Sequence, residues 1–231
     1  MSKSITARPI NFKFNEYLNK GYELLKKDFG NFLLAFIFCM VLSIIPFCGL
    51  MAAGNFYKYC RKVNRGQQAN PSEIFNFDDF SAYIIYQLII IGIVLAIYIP
   101  MLFVVPFMGN GEQPSPVFGL FFMFYVFLIV IAIIYLALKA FYIPALISLG
   151  GVRDIKTAWN MSKIMTKDNL LSIFLFSIVI SFLSQLGVLL CGIGLLITLP
   201  YLYTTHYFAF EDAIQQIEYD EIKEIGQKNE Y

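Results

Sequence analysis

Charge is scarce in this sequence, and the places where it is missing altogether decide most of the reading. Lys, Arg, Asp and Glu are absent from Phe29 to Tyr57, Phe80 to Gly111, Gln113 to Leu138 and Asn169 to Phe210. Charged residues make up 14% of the chain and hydrophobic ones 58%, against about 25% and about 45–50% in an ordinary soluble domain. That balance excludes a water-soluble globule. A net charge of only +1 removes the basic excess that a nucleic-acid partner would require. Histidine occurs once, at His206, so metal centres built on two or more imidazoles are excluded. The four cysteines, Cys39, Cys48, Cys60 and Cys191, form no Cys-x-x-Cys pair, which leaves zinc and dithiol chemistry without a motif. Phosphate-binding glycine loops and a Gly-x-Ser-x-Gly elbow are also lacking, and Gly192-Ile193-Gly194 reads as a helix turn. We therefore expect no enzymatic activity, no catalytic residue, no metal and no cofactor.

What remains is apolar length. A membrane helix needs about 20 apolar residues, each rising about 1.5 Å. The mean hydropathy is +0.66. Phe80–Gly111 supplies one span, centred on Ala82–Leu102, and Gln113–Leu138 another. Asn169–Phe210 suits two spans with a turn at Gly187, Gly192 and Gly194. Phe29–Tyr57 is broken by Pro46 and Gly49, and proline removes a helix hydrogen bond. A short hairpin follows, with one helix over Asn31–Ile45 and the next over Gly49–Val63. The segment Met1–Asp28 is polar, so the first membrane helix is expected to serve as its own uncleaved signal.

Basic residues concentrate on the cytoplasmic side of membrane proteins. With a hairpin at the first apolar stretch, all 17 basic residues fall on one side, and Glu112 alone lies outside. The expected fold is all-α: a polytopic bundle of about six transmembrane helices, both termini cytoplasmic, forming one integral membrane domain over residues 1–231. Within it, residues 15–65 and 153–210 look like a parallel internal repeat. Lys27-Asp28 and Cys48-Gly49-Leu50 correspond to Lys167-Asp168 and Cys191-Gly192-Ile193. A central hairpin covers 82–138, and an acidic cytoplasmic tail covers 211–231. Each repeat unit opens with an amphipathic stretch, which predicts interfacial helices lying in the headgroup plane. The first sets Tyr17, Leu18, Gly21, Tyr22, Leu25 and Phe29 on one face. The second sets Ile155, Ala158, Trp159, Ser162 and Met165 on one face.

Several residues could carry function. Lys58, Arg61, Lys62 and Arg65 have the i, i+3, i+4, i+7 spacing of one helix face; they form a basic stripe for anionic lipid or for topological anchoring. Ser177, Ser181, Ser184 and Gln185 form either a polar path or helix-packing contacts. His206 lies near Tyr203 and Tyr207 at the inner end of the last span. Asp78-Asp79 reads as a helix cap. Cys48 and Cys191 either pair or act as small packing residues. No carboxylate or lysine falls in mid-membrane in this threading, which argues against ion-coupled transport. Membrane lipids are the expected partner, with a protein partner or a second copy of the chain left open.

The motifs Leu24-Leu25-Lys26-Lys27-Asp28, Arg61-Lys62-Val63 followed by Phe75, Phe77 and Phe80, Ala158-Trp159-Asn160-Met161-Ser162, and Gly192-Ile193-Gly194 with Pro200 carry a resemblance. The layout resembles small bacterial multi-pass proteins related to the membrane domain of glycerophosphoryl diester phosphodiesterases. The resemblance implies a six-helix fold in the bacterial cytoplasmic (inner) membrane, with no catalytic residues to carry over. The expected role is structural, regulatory or lipid-interacting. A transporter or channel for a small or lipidic solute is the alternative.

Overall fold

A computed structural model describes residues 7–108, 116–190, 192 and 194–228. Among them every regular element is helical. The first helix, α1 (Phe14–Lys27), ends at Asp28, and the chain turns by 101° into α2 (Phe29–Ile44). Asp28 makes that corner: its carboxylate accepts from the Asn31 side-chain amide at 2.8 Å and caps the new helix, as short acidic residues do at helix starts. A tight turn at Pro46 and Phe47 then leads into α3 (Gly49–Asn64). The hairpin expected over Asn31–Ile45 and Gly49–Val63 is therefore present within a residue or two.

After a short 3₁₀ turn over Pro71–Phe75 come two long helices, α4 (Phe80–Met108) and α5 (Pro116–Lys139). A corner helix α6 (Ile143–Ser148) precedes α7 (Ile155–Met165), α8 (Leu170–Gln185) and the long α9 (Leu195–Lys228). The element order of α1–α2–α3 is thus met again in α7–α8–α9, and α2 and α8 both have 16 residues.

Helix α3 sits at the centre. Met51, Ala52, Phe56, Tyr59 and Cys60 are buried, enclosed by α2, α6, α9 and the 3₁₀ turn. Its polar Asn55 is also buried, and its amide donates to the carbonyls of Ile74 (2.9 Å) and Asn76 (2.6 Å). Those two bonds satisfy a buried amide and pin the loop to the helix. The most extensive helix pair is α1 on α9. Tyr17, Gly21, Leu24 and Leu25 face inward there, so the apolar face predicted to lie on headgroups is largely spent on protein. Of that predicted face, Tyr22 and Phe29 point outward instead.

Three helical stretches are long and apolar enough to cross a membrane: Phe80–Ile99, Val117–Ser148 and Leu170–Leu189. The bent pair α1–α2 makes a fourth if taken as one span. Six were expected. The other stretches fall short on length or composition: α2 and α3 have 16 residues each, and α9 carries charge from Glu211 onward. Polar chain also climbs beside the two hairpins. Tyr201 Oη of α9 donates to the Leu18 carbonyl of α1 at 3.3 Å, about 9 Å of helix rise from the start of α9. The ring of Phe75 in the loop meets Phe38 of α2 at 5.3 Å, again about 9 Å from the end of that helix. Only the tips beyond these points carry an uninterrupted apolar surface. By contrast α4 and α5 stand clear. The membrane-competent window of α4 is 11% buried and that of α5 0%.

The close crossing of α1 and α9 predicts an outcome. A Cβ on Gly21 would come within 2.9 Å of the Thr205 backbone nitrogen and Cα, atoms that no side-chain rotation can move away. Gly21→Ala should destabilise by about 1–3 kcal/mol, the usual cost of overpacking. Gly30→Ala, which meets nothing within 4 Å, should be neutral or mildly stabilising through helix propensity. Thermal unfolding of the purified protein in detergent checks both.

Candidate functional site

Of the basic stripe, Lys58, Arg61 and Lys62 lie on α3 and Arg65 caps its C-terminal end, and all four are engaged within the chain. Lys58 pairs with Asp79 at 2.5 Å and Lys62 with Glu73 at 2.8 Å. The Arg61 Nε donates to Glu211 at 2.7 Å while its Nη1 donates to the Leu149 carbonyl at 2.8 Å. Arg65 reaches the other oxygen of Glu211 at 3.0 Å. Glu211 and Asp79 are buried carboxylates. A fan of charge pointing at lipid is not what the fold makes of this stripe; it makes a set of clamps on α9 and on the loop before α4. Asp79, expected as a helix cap, is one of those clamps.

The next residue of α9 performs the same task on the other side. Asp212 accepts from Lys13 at 3.0 Å and from the Tyr17 hydroxyl at 2.6 Å. One turn further, Gln216 accepts from the backbone N–H of Asn11 (2.8 Å) and donates to its carbonyl (3.0 Å). The guanidinium of Arg8 donates to the Gln216 carbonyl at 2.6 Å. Adjacent acids on a helix point about 100° apart, so Glu211 and Asp212 grip α3 and α1 at once. The start of the acidic tail is therefore a structural lock. Its hydrogen bond with Asp212 raises the Lys13 ammonium above the usual lysine value.

A lateral groove of about 660 Å³ lies between α5, α8 and α9. Ser177, Ser181 and Gln185 of α8, His206 of α9 and Phe141 line it. Three of the four predicted polar residues of α8 thus share one surface with His206. Ser184 does not: it is buried, its hydroxyl donates to the Ser181 carbonyl at 2.8 Å, and its own carbonyl accepts from Thr198 Oγ1 at 2.7 Å. It belongs to the tight packing of α8 on α9, where Gly187 meets Gly194 and Thr198.

The polar groups in the groove differ in how well they are satisfied. Ser177 donates back to the Ile173 carbonyl at 2.8 Å. His206 Nδ1 lies 2.9 Å from the Leu202 carbonyl. An acceptor at that position selects the tautomer with the proton on Nδ1, leaving Nε2 as a hydrogen-bond acceptor. Phe141, Phe176 and Phe210 surround the imidazole with centroids 5.4–6.0 Å away. Ser181 and Gln185 are exposed, and their side chains have no hydrogen-bond partner among the described residues. In hydrocarbon an unsatisfied polar group costs several kcal/mol, so these two groups call for water or a polar ligand beside them.

Among the described residues no three His, Cys, Asp or Glu side chains come together as a metal site. Cys39, Cys48 and Cys60 are buried thiols. Cys191, and with it a pairing to Cys48, lies outside the described residues.

Glu211→Ala should cost about 3–5 kcal/mol, because Arg61 would be left as a half-enclosed charge without its partner. Replacing Arg61 and Glu211 together by Met should recover much of that loss. The contribution of Arg65, which is about half exposed, should stay below about 1 kcal/mol. Thermal midpoints of the single and double variants measure this coupling. The Lys13–Asp212 link has its own signature. A raised lysine value means the link is fully present below the ordinary value of 10.5 and fades as pH climbs through the raised one. The protection of the Asn11 amide, measured relative to the intrinsic base-catalysed exchange rate at each pH, should therefore fall at strongly alkaline pH, and Lys13→Met should remove that step.

No protein-family model, no curated protein and no solved structure matches this chain.

Proposed function

We propose that this is a non-enzymatic, lipid-interacting protein of the bacterial cytoplasmic membrane that crosses the bilayer fully with α4 and α5, while α8, though also long and apolar enough to cross, turns back into α9. In this reading α2–α3 and the tips of α8–α9 enter as shallow hairpins from the cytoplasmic side and return to it. Both termini and every basic residue then lie inside, as in the six-crossing threading, and the polar flanks contributed by α1 and the loop at Phe75 stay out of hydrocarbon. Such wedges thin the membrane locally. The resemblance to the membrane domain of glycerophosphoryl diester phosphodiesterases belongs to the same proposal, as does an ancient duplication of the α1–α3 and α7–α9 units.

The observation that carries the functional reading is the groove: Ser181, Gln185 and His206 expose unsatisfied polar atoms on a surface flanked by apolar residues such as Leu175, Ile178 and Phe182 that face outward. A mostly apolar groove with a line of polar groups from α8 and α9 suits an amphiphile that enters sideways with its headgroup against those groups. The same observation favours a second reading, in which the groove conducts a lipidic solute between leaflets.

Two measurements test these readings. In a cysteine-less background, Ile45→Cys carrying a spin label should be accessible to oxygen and shielded from a polar relaxation agent. Glu112→Cys should react with a membrane-impermeant maleimide added outside. External labelling of Ile45→Cys equal to that of Glu112→Cys would restore the six-crossing threading. In proteoliposomes, transbilayer movement of a fluorescent phospholipid that falls severalfold in Ser181→Leu with Gln185→Leu supports conduction. Movement no faster than in empty vesicles leaves lipid interaction without transport.

A further inference from the structure

Helices α4 and α5 line a common cleft. Among the described residues they make no substantial contact with each other. The space between them is a cleft of about 550 Å³, within the roughly 300–1,000 Å³ range of ligand sites. Its walls are almost wholly aliphatic: Ile89, Ile93 and Ile97 stand on α4, Ile133 and Ala137 on α5, and Ala140 just past its end. From Tyr86 to Ile97 the wall rises about 16 Å, close to the depth of one leaflet of a hydrocarbon core about 30 Å thick. An aliphatic slot one leaflet deep matches a single acyl chain.

The mouth of the cleft has a different chemistry. Helix α7 crosses it and contributes Trp159 and Lys156. Tryptophan favours headgroup depth. Lys156 is exposed and makes no ion pair among the described residues, in contrast to every cation of the α3 stripe. Its nearest acid by sequence, Asp154, is occupied as the cap of α7: it accepts from the Thr157 N–H at 2.8 Å and the Thr157 hydroxyl at 2.5 Å. Lys163 adds a second cation, 5.7 Å from the centre of the Trp159 ring. Arg153 and Lys167 likewise take part in no ion pair among the described residues. Four cations, Arg153, Lys156, Lys163 and Lys167, thus stand on or beside α7 against two acids, Asp154 and Asp168, and of the four Lys156 lines the cleft.

We infer that the α4–α5 cleft binds one acyl chain of an anionic glycerophospholipid, with the phosphate held at its mouth by Lys156. This site is separate from the α8 groove and does not depend on the reading given there. The lysine head and the indole fix the polar end. The isoleucines hold the chain by excluding it from contact with other lipid tails, and the selectivity comes from charge at the mouth.

Trp159 is the only tryptophan in the chain, so its fluorescence reports on the cleft directly. The full-length protein in neutral maltoside micelles is titrated with phosphatidylglycerol or phosphatidylcholine carrying brominated acyl chains. Saturable quenching is expected for both, with half-saturation about fivefold lower for phosphatidylglycerol, the effect of one cation near an anionic headgroup. Lys156→Gln, a change at an exposed position, should erase that preference while leaving the quenching by phosphatidylcholine as it was. Ala140→Phe should reduce quenching by both lipids by filling the slot. Quenching that rises linearly without saturating would mean ordinary annular lipid and would overturn the site. So would equal half-saturation for the two lipids, or an unchanged preference in Lys156→Gln.

Discussion

The architecture depends on one buried carboxylate. Glu211 enters α9 just below its apolar part and receives two guanidinium groups from α3. Burying any charge is expensive, and a buried pair tends to break even unless its remaining hydrogen-bonding capacity is used. Here it is used: Arg61 turns its spare nitrogen to the Leu149 carbonyl next to α6, so one side chain joins α3, α6 and α9. Asp212, directed to the opposite side, brings in α1 and the segment before it. Removing the acid would leave the central helix with a partly buried cation and no partner, and the two ends of the chain would lose their shared anchor.

In the proposed threading, that lock keeps the hairpins shallow. Fixing α1 along α9 from Asp212 to Tyr201 places a helix whose outer face carries Glu16, Lys20 and Glu23 beside the lower part of α9. Fixing Asn55 to the Ile74 and Asn76 carbonyls does the same for α3 with a loop that carries Glu73, Asp78 and Asp79. Neither polar flank tolerates hydrocarbon. The depth to which each hairpin is apolar is therefore set by how high its polar neighbour is tied. Length alone does not decide it.

The sequence shows the secondary structure clearly and the tertiary use of charge poorly. Pro46 and Gly49 locate the first hairpin because they act on the backbone within a few residues. The amphipathic faces of α1 and α7 are equally local, and Tyr17, Gly21, Leu25, Ala158 and Met165 are buried as their spacing indicates. What those faces rest on is not a local property. The apolar side of α1 was expected on lipid, and it rests on α9. Arg61 and Glu211 are 150 residues apart, so counting charges by segment reads one as a free stripe and the other as a solvated tail. On α8 the helical period separates Ser177 and Ser181 from the lipid-facing residues, yet it does not reveal that Ser184 turns into the α9 interface. The partner helix decides that. A signal was available in the pair Gly187 and Thr198, small residues that permit such a close crossing.

The two sets of cations in this chain divide the electrostatic work. Those of α3 are neutralised by Asp79, Glu73 and Glu211, and they stabilise the body. Those on or beside α7, Arg153, Lys156, Lys163 and Lys167, outnumber the neighbouring acids Asp154 and Asp168, so a positive excess extends outward. A helix can hold together a protein or attract an anionic surface with the same residue types. Which it does depends on whether the fold delivers carboxylates to it. The long-range pairs take the field away from the stripe that looks basic by spacing and leave it on α7, beside the one tryptophan and the open end of an aliphatic cleft. The surface of this protein most suited to hold an anionic amphiphile is therefore where the fold supplies more cations than acids.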